Sequence, residues 1–252
     1  MTAMMAYSGI SRWSGALGVC AIIAVIRPAH ADPRAVVELF TSQGCSSCPP
    51  ADRIVGELAK DPNVIALSMP IDYWDYLGWK DTLAKPRHTA RQRAYAQVRG
   101  DRAVYTPQAV INGALHVQGS DKTAIERAIA QTHHQAGTLS LPVTVAVADG
   151  RVNVAVPESK DQRASGEIWL CTLAKSVPVA IGRGENRGHT VTYHNVVRRW
   201  VKLGEWNGAA RTWSVPLSDV EVDGMNSVAV LVQSGDGAKP GRMLGAARTD
   251  VR

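Results

Sequence analysis

The chain has 252 residues, of which 45% are hydrophobic and 20% charged, and its formal net charge at pH 7 is +6. This length allows one large or two modest domains with a sizeable core. The lysines and arginines are scattered and form no stripe interleaved with aromatic residues, so nucleic acid is excluded as a first hypothesis for the partner.

The first 31 residues have the pattern of a secretory signal peptide. Arg12 precedes the apolar run WSGALGVCAIIAVI, and residues 29–31 form the Ala-x-Ala pattern that signal peptidase cleaves. The run is shorter than the roughly 20 residues that span a bilayer, so cleavage is favoured over an anchor. We expect an exported chain, periplasmic or secreted, that begins near Asp32 and has no membrane span after cleavage. Loss of Arg12 and Arg27 lowers its formal charge from +6 to +4.

Residues 32–137 predict alternating strands and helices. AVVELF and NVIALSM are short apolar runs typical of buried strands, and CPPADRIVGELAK between them has helical periodicity. A second helix begins at Pro86, Asn112-Gly113 predicts a hairpin turn, and SDKTAIERAIAQTHH predicts a capped third helix. The predicted order is β-α-β-α-β-β-α.

Residues 138–252 predict short strands divided by turn residues, with no helical period of useful length. Asp149-Gly150 predicts a second hairpin turn. The strand candidates are LPVTVAVADGRVNVAVP, GEIWLCTLA, HTVTYHNVV, RTWSVPL and NSVAVLVQS. We therefore expect a second, smaller all-β domain of the sandwich type.

Three cysteines remain after signal cleavage, namely Cys45, Cys48 and Cys171. An oxidising compartment permits disulfides, but three cysteines are too few for a disulfide scaffold. Cys171 lies in the strand candidate GEIWLCTLA and is predicted to be a buried apolar thiol. The C-x-x-C pair could be a redox pair, a metal clamp or an inert staple, and we expect chemistry rather than stapling.

Cys45 and Cys48 lie where a predicted strand leads into a predicted helix. The unpaired N–H groups and the positive dipole end at a helix start stabilise a thiolate. We therefore expect Cys45 to be an exposed nucleophile and Cys48 to be the resolving thiol. A zinc site needs a second C-x-x-C or a suitably spaced histidine pair, which the sequence lacks, so we expect no metal site and no cofactor.

The order of elements, with C-x-x-C after the first strand and Thr106-Pro107 before the third, resembles a thioredoxin-like domain. The resemblance implies an α/β thioredoxin-like fold for residues 32–137, followed by the smaller all-β domain. It implies that Pro107 is a cis-proline facing the sulfurs and that the Thr106 backbone holds a client strand. Glu38 lies near the position where thioredoxin-like oxidoreductases bury an acid, which implies a proton acceptor for Cys48. The alternative is an edge glutamate in solvent.

Five segments resemble a bacterial family of secreted proteins without an assigned function, domain-of-unknown-function family 1223. These segments are ELFTSQGCSSCPPAD, IDYWDYLGWKD, ARQRAYA, VYTPQAVING and GENRGHTVTYHNVV. The resemblance extends over essentially the whole mature chain. It implies export and names no substrate.

An acidic and aromatic segment follows the second predicted strand. Asp72, Trp74 and Asp75 lie there, at the same end of the sheet as the cysteines if the two strands are parallel. We predict that they form a wall of the client groove. The alternative is structural, with aspartates capping a short helix and aromatic rings packed beneath it, and it is favoured for the rings.

The leading hypothesis is an exported thiol-disulfide oxidoreductase that acts on protein or small-molecule thiols and disulfides, together with a redox partner protein. Two alternatives stay open, because a fold does not fix a function. One is a binding module with a static Cys45–Cys48 disulfide, and the other is a copper-binding thiol pair.

Overall fold

The structure is a computed structural model that describes residues 33–161 and 163–251, so the predicted signal peptide lies outside the described residues. The elements up to His133 follow one another in the order β-α-β-α-β-β-α. They are β1 (Ala35–Thr41), α1 (Pro49–Leu58), β2 (Val64–Pro70), a 3₁₀ helix (Asp75–Leu77), α2 (Pro86–Arg99), β3 (Gln108–Ile111), β4 (Leu115–Gln118) and α3 (Lys122–His133).

The rest of the described chain is almost entirely strand. Its elements are β5 (Thr144–Ala148), β6 (Arg151–Val156), β7 (Gly166–Ala180), β8 (Thr190–Trp206), β9 (Arg211–Pro216), α4 (Leu217–Val220), β10 (Ser227–Gly235) and β11 (Pro240–Asp250). The strands β7 and β8 are long and pair with each other in antiparallel fashion.

Strands from both parts of the chain form one eight-stranded mixed sheet. Its order is β11-β10-β7-β8-β2-β1-β3-β4, and β5-β6-β9 form a separate three-stranded sheet. The strands β1 and β2 run parallel, and β2 also pairs in parallel with β8, at Ser68 and Val196. The β2–β8 pairing therefore joins the strands of the cysteine segment to those of the β-rich segment.

The predicted fold class, an α/β thioredoxin-like domain followed by a smaller all-β sandwich domain, is wrong. The protein is mostly β, and the eight-stranded mixed sheet is its main element. Residues 168–174 of β7 and residues 227–233 of β10 are buried throughout, as in strands that are covered on both faces. Sequence periodicity identified strands here, but it carries no information on which distant strands pair.

The faces of β1 belong to two different layers of the core. Val37 and Leu39 pack with residues of α1 and α3, whereas Phe40 packs with Tyr95 of α2. Successive side chains on a strand point to opposite faces. Glu38 therefore lies on the α2 side of the sheet, away from α1.

Both predicted hairpin turns are confirmed. Asn112 and Gly113 connect β3 to β4, and Asp149 and Gly150 connect β5 to β6. All four residues have positive φ angles, between 51° and 66°. This left-handed backbone suits Asn, Asp and Gly in tight turns.

We expect Gly113→Ala to destabilise the protein far more than Gly150→Ala does. The two glycines have φ angles of 65° and 66°, so each substitution carries a similar backbone penalty of about 1 kcal/mol. A Cβ at Gly113 would overlap the Gly241 carbonyl oxygen, whereas a Cβ at Gly150 meets no atom within 4 Å. Urea unfolding of the two variants measures the difference. Equal losses of stability would show that the turn does not pack closely against β11.

Candidate functional site

The cysteine pair lies in the loop between β1 and α1. Cys45 and Cys48 form a disulfide, with their Cα atoms 5.4 Å apart. Cys48 is the N-cap residue of α1, and its carbonyl accepts hydrogen bonds from the amides of Ala51, at 2.8 Å, and Asp52, at 3.1 Å. The two prolines that follow occupy the first helical turn, where no N–H donor is needed. The disulfide is thus anchored to the amino end of a helix.

Both cysteines are shielded from solvent. Cys45 is 2% exposed and Cys48 is fully buried, whereas Ser46 and Ser47 between them are exposed. The Cys45 Sγ atom lies 3.4 Å from the Ser47 Oγ atom. The prediction of an exposed Cys45 is therefore wrong for this conformation. A segment far along the chain contacts this loop, and a local sequence pattern does not reveal such a contact.

Residues 181–189, IGRGENRGH, connect β7 to β8 and lie against the cysteine loop; we call them the cover loop. The Asn186 side chain is buried, and its Nδ2 atom donates hydrogen bonds to the carbonyls of Gln43 and Cys45, both at 2.9 Å. The Ser46 amide donates to the Glu185 carboxylate at 3.3 Å. Asn186 thus holds the cover loop on the backbone of the cysteine loop. The GENRGH segment was visible in the sequence, but nothing local indicated this contact.

Trp79 lies between the cysteine loop and the cover loop. Its Nε1 atom donates to the Gln43 side-chain oxygen at 2.8 Å. A Cβ at Gly182 would lie 3.2 Å from the Trp79 ring, so the glycine lets the cover loop approach closely. The Trp79 ring therefore contacts both loops.

Trp74 connects the cysteine loop with the Thr106-Pro107 segment. Its Nε1 atom donates to the Thr106 hydroxyl at 2.8 Å, and a Cβ at Gly44 would lie 3.3 Å from the Trp74 Cβ. The Thr106–Pro107 peptide bond is cis. Trp74 also stacks on Tyr76, whose side chain is 79% exposed. The structure therefore brings Trp74 and Thr106 together beside the cysteine loop.

Asp72 and Asp75 make contacts within their own region. The Asp72 carboxylate accepts a hydrogen bond from the Thr89 hydroxyl of α2. The Asp75 carboxylate accepts one from the Asp81 amide at 3.0 Å. Both carboxylates therefore anchor the loop that precedes α2 and do not cap the short 3₁₀ helix, and their role in client binding stays a prediction.

Glu38 lies in a buried polar cluster on the α2 side of the sheet. Its carboxylate pairs with the Arg91 guanidinium at 2.6 Å and accepts a hydrogen bond from the Tyr95 hydroxyl at 2.6 Å. Gln233 of β10 accepts from Arg91 and donates to Tyr95, both at 2.8 Å. The α1 helix packs on the opposite face of β1, so the structure does not place Glu38 with Cys48. The position predicted for a proton acceptor is instead part of an internal ion pair.

Two buried acids that the sequence analysis did not single out lie near the cysteine loop. Asp81 accepts hydrogen bonds from the backbone amides of Gln43, Leu83 and Ala84 at 2.8 to 3.0 Å. Asp52 is 1% exposed, and neither of its carboxyl oxygens has a hydrogen-bond partner among the described residues. Burial raises the pKa of both carboxyls, that of Asp52 to about 8. In the sequence, Asp52 stands as an acid on the otherwise apolar face of α1, and this pattern could have indicated a buried carboxyl group.

Residues 36–233 match a family described as a protein of unknown function, DUF1223. The chain belongs to the DUF1223 family. An Agrobacterium tumefaciens protein, whose crystal structure comes from a structural genomics consortium, has 32% sequence identity to this DUF1223 chain. The two structures align with a TM-score of 0.78. The similarity covers 87% of this chain and 95% of that one.

A second solved structure shares the fold at low sequence identity. HBP35 of Porphyromonas gingivalis is 16% identical, with a TM-score of 0.59, and the similarity covers 87% of this chain and 76% of that one. No curated protein matches this DUF1223 chain at a significant level. The comparisons thus establish the family and the fold and give no activity.

The third cysteine among the described residues of this DUF1223 protein lies outside the cysteine loop. Cys171 is fully buried in β7, as predicted, and burial raises its thiol pKa well above the ordinary value. Within residues 33–161 and 163–251, no three His, Cys, Asp or Glu side chains are grouped closely enough to hold a metal ion. No helix in the described part of the chain is long and apolar enough to cross a membrane.

Proposed function

We propose that this DUF1223 protein is an exported thiol-disulfide oxidoreductase whose reactive group is the Cys45–Cys48 disulfide. The observation that carries the proposal is a disulfide that closes only four residues at the amino end of α1. Its partners would be protein or small-molecule thiols and disulfides, with a redox partner protein that resets the pair.

A disulfide that closes so short a loop adds little to the stability of a fold. The loop-entropy model gives about 2 kcal/mol for closing four residues, against about 4.7 kcal/mol for closing 100 residues. Cys45 and Cys48 are three positions apart, and Cys48 is already held as the N-cap of α1. Stabilisation of the fold is therefore a small part of what this bond can do, and thiol exchange is the chemistry available to it.

The helix start favours the reduced state of the pair. Pro49 and Pro50 carry no N–H group, so the positive end of the helix dipole is what acts on Cys48. A thiol next to such an end has a lowered pKa and is a better leaving group. Attack on the Cys45 sulfur therefore has a stabilised leaving group in Cys48.

The reaction is an exchange of bonds between sulfurs. An incoming thiolate forms a bond to the Cys45 Sγ atom, the Sγ–Sγ bond breaks, and its electron pair stays on Cys48. A second client thiolate then attacks the client sulfur of the mixed disulfide and releases Cys45. The client is oxidised to a disulfide, and the two protein cysteines are reduced. The reverse sequence reduces a client disulfide.

Exchange requires the cover loop to move, because Cys45 is 2% exposed. Asn186 and Glu185 are the residues that hold this loop on the cysteine loop. Trp74 lies beside Gly44 and donates a hydrogen bond to Thr106, so both residues would line the opened site. We propose that a client reaches Cys45 between the cover loop and Trp74.

The second candidate function is a binding module with a static disulfide. The burial of both cysteines is the observation that favours it. In that case the disulfide stiffens the loop between β1 and α1, and the β-rich segment recognises a partner.

Thiol exchange by the purified protein separates the two candidates. We expect the wild type to equilibrate with glutathione at a potential above about −300 mV. Cys45→Ser should abolish exchange, whereas Cys48→Ser should accumulate a mixed disulfide on Cys45, visible by mass spectrometry. Cys171→Ala is the matched control and should exchange like the wild type, because Cys171 is buried elsewhere. A potential below about −300 mV without exchange would establish the static disulfide.

A further inference from the structure

Asp52 is a buried acid that the fold itself does not use. It is 1% exposed, and both carboxyl oxygens lack a hydrogen-bond partner among the described residues. Burying an unpaired polar group destabilises a protein. Asp81 provides the contrast, since its carboxylate holds three backbone amides. Asp52 has no such set of amides around it in the described part of the chain, and the Thr41 hydroxyl and the Arg53 charge offset its burial only in part, which leaves its carboxyl group available for chemistry.

The position of Asp52 on α1 places it beside the leaving sulfur. Its amide donates to the Cys48 carbonyl at 3.1 Å, which is the hydrogen bond of residues four apart on a helix. Cys48 has helical backbone angles, with φ −80° and ψ −36°. Side chains four apart lie on the same helix face, with Cβ atoms about 5–6 Å apart. Both residues are buried, so neither the acid nor the sulfur is open to bulk water.

The surroundings of Asp52 keep it protonated at neutral pH. Burial raises its pKa to about 8; Thr41 at the end of β1 partly offsets the rise, the Asp81 charge adds to it, and Arg53 opposes it. On β8, the buried Tyr193 phenol lies near Asp52, and His194 lies against Gly56 of α1. The acid one helical turn from Cys48 is therefore a neutral carboxylic acid that is able to donate a proton.

We propose that Asp52 is the proton donor and acceptor for the Cys48 sulfur during thiol exchange. This inference rests on the proposed function. When a client thiolate attacks Cys45, the Cys48 thiolate that leaves takes the proton of the Asp52 carboxyl, and a carboxylate remains. In the return direction this carboxylate removes the proton of the Cys48 thiol, which then attacks the mixed disulfide and releases the client thiolate. Each step moves one proton and exchanges one S–S bond.

The test is the pH profile of disulfide reduction by glutathione, corrected for its thiolate fraction, from about pH 6 to pH 10. In the wild type the corrected rate should fall as the pH rises through about 8, where Asp52 loses its proton. Asp52→Asn cannot donate, so we expect a rate about a hundredfold lower near pH 7 and a flat profile. Asp223→Asn, at an exposed position, should keep the wild-type profile.

Thermal unfolding separates a proton-transfer role from a structural role. A folded-state pKa above the unfolded value contributes stability at low pH that is lost as the pH rises through the folded pKa. Asp52→Asn removes this dependence, so its melting temperature should exceed that of the wild type near pH 8 and match it near pH 4. A residue needed for structure would instead lower the melting temperature at both pH values.

Three outcomes would overturn the inference. Exchange by the wild type without an inflection near pH 8 would do so on its own, without any variant. An Asp52→Asn protein that exchanges with the wild-type rate and profile would reject Asp52 and leave the proposed function intact. A wild type that does not exchange at any pH would reject both.

Discussion

Replacing Arg91 with methionine is expected to destabilise the protein by about 3–5 kcal/mol, because it leaves the buried Glu38 carboxylate without its counter-ion. The Arg91 guanidinium donates to Glu38, to the Tyr95 hydroxyl and to Gln233 at 2.6 to 3.2 Å. It also stacks on the Trp200 ring, with 4.6 Å to the ring centroid. Burial opposes the charged form, but Glu38 and Tyr95 raise the pKa of Arg91 above its usual value.

Unfolding of the purified protein in guanidinium chloride measures this loss of stability. The control is Lys122→Met, which breaks the exposed pair between Lys122 and Glu57, also 2.6 Å long. Exposed pairs contribute little, so the control should unfold nearly as the wild type does. The double variant Glu38→Gln/Arg91→Met should be more stable than Arg91→Met, because no unpaired charge remains. If the Arg91→Met protein is as stable as the control, then the loss of Arg91 does not leave an unpaired charge on Glu38.

Replacing Asn186 with alanine is expected to speed reduction of the Cys45–Cys48 disulfide by about 10- to 100-fold. The two hydrogen bonds that Asn186 donates to Gln43 and Cys45 hold the cover loop in place. Their loss leaves two buried carbonyls unpaired in the closed state, which favours opening by about 1–3 kcal/mol. A factor of ten corresponds to about 1.4 kcal/mol. Rapid quenching with an alkylating reagent, followed by mass spectrometry, gives the reduction rate.

Two further variants test whether the effect belongs to the cover loop. Asn207→Ala removes an exposed asparagine and should leave the rate unchanged. Glu185→Gln weakens only the contact with the Ser46 amide, at 3.3 Å, so it should give a smaller acceleration than Asn186→Ala. If Asn186→Ala is reduced at the wild-type rate, the cover loop does not control access to Cys45.

The features that the sequence predicted correctly are local ones. The cysteine loop lies between a strand and a helix because an apolar run, two prolines and a helical period follow one another within some 20 residues. The turns at Asn112-Gly113 and Asp149-Gly150 depend on the residues of the turn itself. Such features need no knowledge of distant contacts.

The features that the sequence did not predict depend on long-range pairing. The fold class was wrong because no local pattern indicates that β8 lies along β2 and extends the sheet of the cysteine segment. Asn186, which donates a hydrogen bond to the Cys45 carbonyl, lies 141 positions further along the chain. The two acids show the same limit. Strand alternation does not show on which face of the sheet Glu38 lies. The sequence likewise does not show that Asp52 is buried without a hydrogen-bond partner for its carboxyl oxygens among the residues that the structure describes.

The cover loop is the turn of a long hairpin, and its two ends are fixed by the pairing of Ala180 with Thr190. Insertions or deletions between those two residues would alter how well the sulfurs are sheltered while the strand register stays the same. Natural variation could therefore adjust the reactivity of the disulfide through loop length alone, leaving the cysteines and their helix untouched.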